Sequence, residues 1–196
     1  MDLSQYLEFA VETAYLAGRA TLGYFQAGVQ AETKEDHSPV TAADRLAEEI
    51  IRRRIEQAYP AASIVGEEYG ILENNATEHC WVIDPIDGTK SFLHGVPLYA
   101  VLLGLEIAGR VEVGAAYFPA LDEMLCAASG LGCWWNGRRA RVSSVDTLDR
   151  AVLTFTDPAV FTRQGKGAAW ERIQRACYNA AGGREGFAGI VGTAAF

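Results

Sequence analysis

The sequence predicts an α+β fold, with amphipathic helices laid against one face of a meandering antiparallel sheet. Three observations carry this. The first 60 residues hold two stretches with apolar residues at helical spacing. From Tyr99 onward the chain changes to short apolar, β-rich runs separated by tight-turn residues. Between these regions lie two further apolar runs, Ser63–Gly66 and residues 81–83, and each leads into acidic residues.

Residues 3–26 read as the first helix, with Leu3, Tyr6, Leu7, Ala10, Ala14, Leu16, Ala17 and Phe25 on one side and acids on the other. Gly28 is its expected stop. Residues 41–59 read as the second. Thr41 is a good N-cap and Asp44 stands at N3, as in a capping box. Leu46, Ile50 and Ile55 are expected inward, Arg52, Arg53 and Arg54 outward as a solvated face, and Pro60 ends the helix. Residues 99–107 and 111–118 are strands joined through Ala108-Gly109-Arg110, a hairpin signal. Residues 123–128 and 132–135 continue the meander, the latter ending at the strong hairpin turn Asn136-Gly137. Trp134 and Trp135 alternate, so one of them is expected in the core, while Arg138, Arg139 and Arg141 mark a strand edge or subunit surface. Residues 152–156 give one more strand, and residues 168–181 a helix containing Trp170, Ile173 and Cys177.

At 196 residues the chain is a single domain's worth, and 49% hydrophobic residues suit a globular core. A formal charge of −8 argues against a nucleic-acid partner. It does not oppose a phosphorylated metabolite, because a bound cation inverts the local sign. Cys80, Cys126, Cys133 and Cys177 are scattered without metal-ligand spacing, which reads as a reducing cytoplasm. No signal peptide and no apolar run of spanning length stand out, so a cytoplasmic protein with no membrane partner is expected. His37, His79 and His94 are not expected to be catalytic.

The chemistry concentrates in W-V-I-D-P-I-D-G-T-K-S-F, beginning at Trp81. An apolar strand delivers two carboxylates, Asp84 and Asp87, around a proline. Pro85 stiffens the turn and Gly88 lets the backbone come close to a ligand. Asp84 and Asp87 can converge on one point, joined by a carbonyl such as that of Ile86, and an oxygen-only, partly open set of this kind suits Mg²⁺. The amides of Gly88 and Thr89, at a helix start, would face an anion. The plain alternative is a polar turn after a strand; an EF-hand is excluded because the alternating acids and distant Glu are missing. Upstream, Ser63–Gly66 runs into Glu67 and Glu68, either of which can stand beside Asp84 at a neighbouring strand end. Such juxtaposed charges are costly without a cation. Capping alone accounts for Asp44, and catalysis is the other reading.

K-x-x-x-S-P-V-T-x-A-D from Lys34, then G-E-E from Gly66, then W-x-x-D-P-x-D-G-T from Trp81, resemble in order and spacing the inositol monophosphatase superfamily of Mg²⁺-dependent phosphatases. The D-P-I-D-G-T-K-S-F run with a following G-V-P, and the later G-C-W-W-N-G-R-R-A-R-V-S, resemble its histidinol-phosphatase branch. The resemblance implies a layered helix/sheet/helix fold. It implies a phosphomonoesterase acting on a small phosphate monoester, histidinol phosphate first, with inositol-1-phosphate or another sugar phosphate as the alternative. Glu67, Asp84 and the Ile86 carbonyl would hold a first Mg²⁺, and Asp84 and Asp87 a second. Asp44 and Thr89 would orient the attacking water, placing Asp44, Thr89 and Glu67 in the catalytic set. The Gly88 and Thr89 amides would bind phosphate, supported by Lys34. Glu68 and Lys90 are expected to be bystanders.

Family members continue past the last residue here, into a second half-sheet that supplies another aspartate. Residues 1–181 are the matching part of one incomplete domain, and residues 182–196 an atypical tail in which Gly192-Thr193-Ala194-Ala195 resembles a family motif without its preceding Arg-Ser. A deliberate cut, a natural truncation and a frameshift are equally open readings. A rival expectation is an impaired relative that binds rather than catalyses. Under any of these readings the chain's apolar, glycine-rich tail is expected to favour a homodimer or aggregates.

Overall fold

In the computed structural model the described residues are 2–33, 39–74, 76–155 and 157–182. Lys34, and the tail from residue 183 with its Gly-Thr-Ala-Ala motif, lie outside them. The chain forms two compact units, Met1–Ala140 and Arg141–Phe196.

The first unit opens with α1 (Ser4–Thr21), followed by the two-residue strands β1 (Glu32–Thr33) and β2 (Pro39–Val40) and by α2 (Ala42–Ala58). Then come β3 (Ser63–Gly66), β4 (Gly70–Leu72), β5 (His79–Asp87), the short α3 (Thr89–Leu93), and the meander β6 (Ala100–Ile107), β7 (Arg110–Phe118), β8 (Glu123–Ala128), β9 (Gly132–Trp135) and β10 (Arg138–Ala140). Eight strands make one sheet in the order β10-β9-β8-β7-β6-β5-β3-β4. The fold is α+β, as the sequence predicts. Every neighbouring pair is antiparallel except β3 and β5, which run parallel.

Helices α1 and α2 pack on each other and on the sheet, α1 over β6 to β8 and α2 over β5. The core between them holds Ile51 and Ile55 of α2 and Trp81, Ile83, Val101, Leu103 and Leu105 of the strands. Alternation along β5 is clean there: Trp81 and Ile83 are buried while Val82, between them, is exposed. Small residues let α1 approach closely. A Cβ on Gly18 would overlap the Tyr117 ring, and Ala10, Ala14 and Ala17 are fully buried.

Several expectations are corrected. Helix α1 stops at Thr21, and residues 22–28 are turns in which Gln26 and Gly28 both take positive φ. Leu16 is 40% exposed because the buried stripe runs through Ala10, Thr13, Ala14, Ala17 and Gly18. On α2, Leu46 and Ile50 are only half-buried, and of the three arginines only Arg53 is exposed. Arg54 donates to Thr13 Oγ1 at 2.9 Å and Glu12 Oε2 at 2.6 Å, and Arg52 is bonded to a buried Glu48. Neither Trp134 nor Trp135 enters the core. Strand β9 has only β10 beyond it, so Trp135 stacks on Phe118 and Trp134 lies under Arg139. The Asn136-Gly137 hairpin forms as expected, both residues with positive φ.

The second unit begins with a 3₁₀ turn (Leu148–Arg150), then β11 (Val152–Phe155), α4 (Ala159–Arg163), α5 (Gly167–Ala176) and β12 (Asn179–Gly182). Trp170 is buried between Phe155 and Phe161, at ring separations of 4.8 and 4.6 Å. The helix expected over residues 168–181 ends at Ala176. The residues beyond it pair instead with β11 in parallel register, Val152 opposite Asn179. Pairing with β11 across the crossover overrides the helical preference of Ala180 and Ala181, as tertiary context does with intrinsic propensity.

Candidate metal and phosphate site

The parallel pairing of β3 and β5 decides where the acids meet. Gly66 is in register with Ile83, so the residues that follow, Glu67 just past the end of β3 and Asp84 still within β5, stand at the same end of the pair. An antiparallel pair would have sent them to opposite ends. Strand β5 does not stop at Asp84, where the sequence suggested a turn. It runs on through Pro85 and Ile86 to Asp87 over a bulge, with Asp84 opposite Leu102 but Asp87 opposite Ala100. A bulge tolerates proline and re-aims side chains, which brings Asp87 back toward Asp84.

Gly88 ends the strand with φ +90°, and a Cβ there would stand 3.1 Å from the Leu98 carbonyl oxygen. Both facts demand glycine. Helix α3 starts immediately, and Thr89 donates its hydroxyl to the Ile86 carbonyl at 3.1 Å. Phe92 anchors the segment from below against Tyr99 and Phe25, at ring separations of 4.9 and 5.7 Å. Tyr99 is itself tied to Thr21 by a 3.0 Å hydroxyl pair.

Electrostatically the three acids are crowded. Burial pushes the Asp84 carboxyl up to about 8, and the charges of Glu67 and Asp87 and a hydrogen bond to Glu67 act in the same direction. Burial and the Glu67 charge likewise raise Asp87. Asp84 Oδ1 is buried with no hydrogen-bond partner. Among the described residues no three or more His, Cys, Asp or Glu side chains are already gathered as a cage for an ion. The donors still fit a hard cation. They are all oxygen, they repel one another without one, and one buried oxygen lacks a partner. Mg²⁺ keeps several waters and does not require a closed cage.

Asp44 is buried at the start of α2, where its Oδ2 accepts from Thr41 N at 2.8 Å and from Thr41 Oγ1 at 2.6 Å. The capping box read from the sequence is therefore present. Glu48, one turn further along α2, was not singled out by its sequence. It is fully buried and accepts from Glu68 N at 2.7 Å and Tyr69 N at 3.2 Å, in the turn that carries Glu67. The only sequence signal was its spacing, four before Arg52 and four after Asp44.

The profile of the inositol monophosphatase family matches residues 2–169. A histidinol-phosphatase from Chlorobaculum parvum is 42% identical over 152 residues, covering 77% of this chain and 58% of that protein. An inositol-1-monophosphatase from Mesorhizobium japonicum is 39% identical over 155 residues, covering 76% and 58%. The crystal structure of the extragenic suppressor protein suhB from Bartonella henselae superposes with a TM-score of 0.84 at 29% identity, covering 91% of this chain and 70% of that one. The chain spans 58% of the length of both curated relatives. It belongs to the inositol monophosphatase family.

Proposed function

We propose that this member of the inositol monophosphatase family carries the metal and phosphate site of a Mg²⁺-dependent phosphomonoesterase. One observation carries the reading: the ends of two parallel strands bring Glu67 and Asp84 together with Asp87, and a buried oxygen of Asp84 lacks a partner. Glu67, Asp84 and the Ile86 carbonyl would hold one cation, and Asp84 with Asp87 a second. When bound, Mg²⁺ lowers the pKa of water and neutralises phosphoryl charge.

The chain's own groups do the rest. Thr89 spends its proton on the Ile86 carbonyl, so its oxygen is left as an acceptor that orients a water. Asp44, fixed by Thr41, offers a second acceptor to the same water. The amides of Gly88 and Thr89, at the start of α3, receive the phosphoryl oxygens. The water oxygen bonds to phosphorus as the ester P–O bond breaks. The departing alkoxide takes up the proton that the attacking water gives up, leaving a free alcohol and inorganic phosphate. Positioning and charge neutralisation suffice, with no covalent enzyme intermediate.

For the substrate, the D-P-I-D-G-T-K-S-F run and the 42% identical relative favour histidinol phosphate. The 39% identical relative favours inositol-1-phosphate as the second reading. A homodimer in the cytoplasm, handling a small phosphorylated metabolite, completes the proposal. Phosphate release from both esters, with Mg²⁺ and with EDTA, tests it. Metal-dependent release from histidinol phosphate supports the first reading, and release from inositol-1-phosphate alone the second. Silence from a folded protein that binds Mg²⁺ leaves a binding role. Thr89→Ala should lower kcat at least about tenfold with little change in KM.

A further inference from the structure

Glu48 is fully buried, and no step of the proposed reaction uses it. Its carboxylate crosses from α2 to the turn after β3, taking Glu68 N–H on Oε2 and Tyr69 N–H on Oε1. Arg52, one helical turn further on, donates from Nε to Glu48 Oε1 at 2.7 Å and from Nη2 to the Gly70 carbonyl. One ion pair thus holds the turn by its amides and by its carbonyl. The remaining approach is closed by Gly66. A Cβ there would overlap the Glu48 carboxylate and stand 2.7 Å from Arg52 Nη2, so only glycine lets the pair lie against the backbone.

We propose that Glu48 and Arg52 are positioning residues that fix the Glu67 carboxylate against Asp84 for the cation. The inference rests on the reading that Glu67 is a metal ligand. Glu67 lies between Gly66, pressed on the pair, and Glu68, whose amide is bonded to it, so the backbone on both sides of the ligand is held. Stability alone is a weak reason for such a pair, since well-packed apolar residues serve as well in a core. An ion pair adds direction, and partners behind a ligand set its aim and affinity.

The test measures Mn²⁺ dissociation constants by electron paramagnetic resonance for the whole chain and for Glu48→Gln, Arg52→Lys, Arg54→Gln and Asp84→Asn, with melting in EDTA recorded alongside. Arg54 lies on the same helix but binds Glu12 and Thr13, away from the turn. Glu48→Gln is expected to weaken Mn²⁺ about tenfold or more and to speed amide exchange at Glu68 and Tyr69. Arg52→Lys keeps the charge and loses the Gly70 bond, and should weaken Mn²⁺ several-fold. Arg54→Gln should lower the melting temperature in EDTA while leaving Mn²⁺ affinity unchanged, and Asp84→Asn should abolish binding. If Glu48→Gln does not fold, Arg52→Lys decides. Unchanged Mn²⁺ affinity in the folded variants overturns the positioning role alone. A wild-type chain that binds no Mn²⁺, or binds equally well as Asp84→Asn, overturns the metal reading and this inference together.

Discussion

Glu48 on α2 and Asp84 at the bulge of β5 are both acids taken out of water, and the fold treats them in opposite ways. Glu48 shares its two oxygens among two backbone amides and a guanidinium. Asp84 has one buried oxygen with no partner and shares its surroundings with Glu67 and Asp87. The first arrangement is complete within the chain. The second is balanced only by a proton or by a cation from outside. Burial of charge therefore does not distinguish scaffold from site, but the state of its partners does.

The sharpest way to break this contrast is to neutralise each acid. Asp84→Asn should abolish Mg²⁺-dependent phosphate release and leave metal-free stability equal or higher, because it removes a carboxylate that the metal-free fold must protonate on folding. Phosphate assays and denaturant melts in EDTA check both halves, and a large loss of metal-free stability would place Asp84 with Glu48. Glu48→Ala should act in reverse, costing about 3–5 kcal/mol in urea unfolding through a broken buried pair.

Metal-free stability should also follow pH in a defined direction. Asp84 binds its proton up to about 8 when folded, against an ordinary value of 3.8. Between these values the folded chain holds a proton that the unfolded chain has released, so stability falls as pH rises from about 4 to about 8. Asp87 is shifted the same way. Saturating Mg²⁺, which needs deprotonated carboxylates, should flatten or reverse that slope. Thermal melts across this range, with and without Mg²⁺, read it directly. The smallest effect belongs to Arg53→Gln on the exposed face of α2, expected to stay within about 0.5 kcal/mol in urea melts.

Much of this was legible in the sequence because it is local. The capping box at Thr41 and Asp44, the Asn136-Gly137 hairpin, and the short apolar runs that lead into Glu67 and Asp84 each depend on a few neighbouring residues. What escaped was set by distant chain. Periodicity puts a charged residue outside and so sends Arg52 to solvent. The turn that gives Glu48 and Arg52 their partners arrives only after the helix has ended. The D-P-I-D run on its own has the residues of a turn, and the partner strand that makes it a bulge, β6, starts 13 residues beyond Asp87. Trp134 and Trp135 follow β alternation, but the sequence does not reveal that they lie one strand from an edge.

The pairing of β3 with β5 has a further consequence for how errors are excluded. Side chains alternate along a strand, so a slip of one residue would turn Trp81 and Ile83, both now buried, out into water while moving Asp84 away from Glu67. A misaligned site thus cannot arise quietly, since it exposes an indole and a branched aliphatic at the same moment. The apolar core acts as a proofreader for the chemistry at its rim. The acids could be exchanged for others without disturbing that check, whereas substitutions at Trp81 or Ile83 would loosen the alignment on which any ligand set at this edge depends.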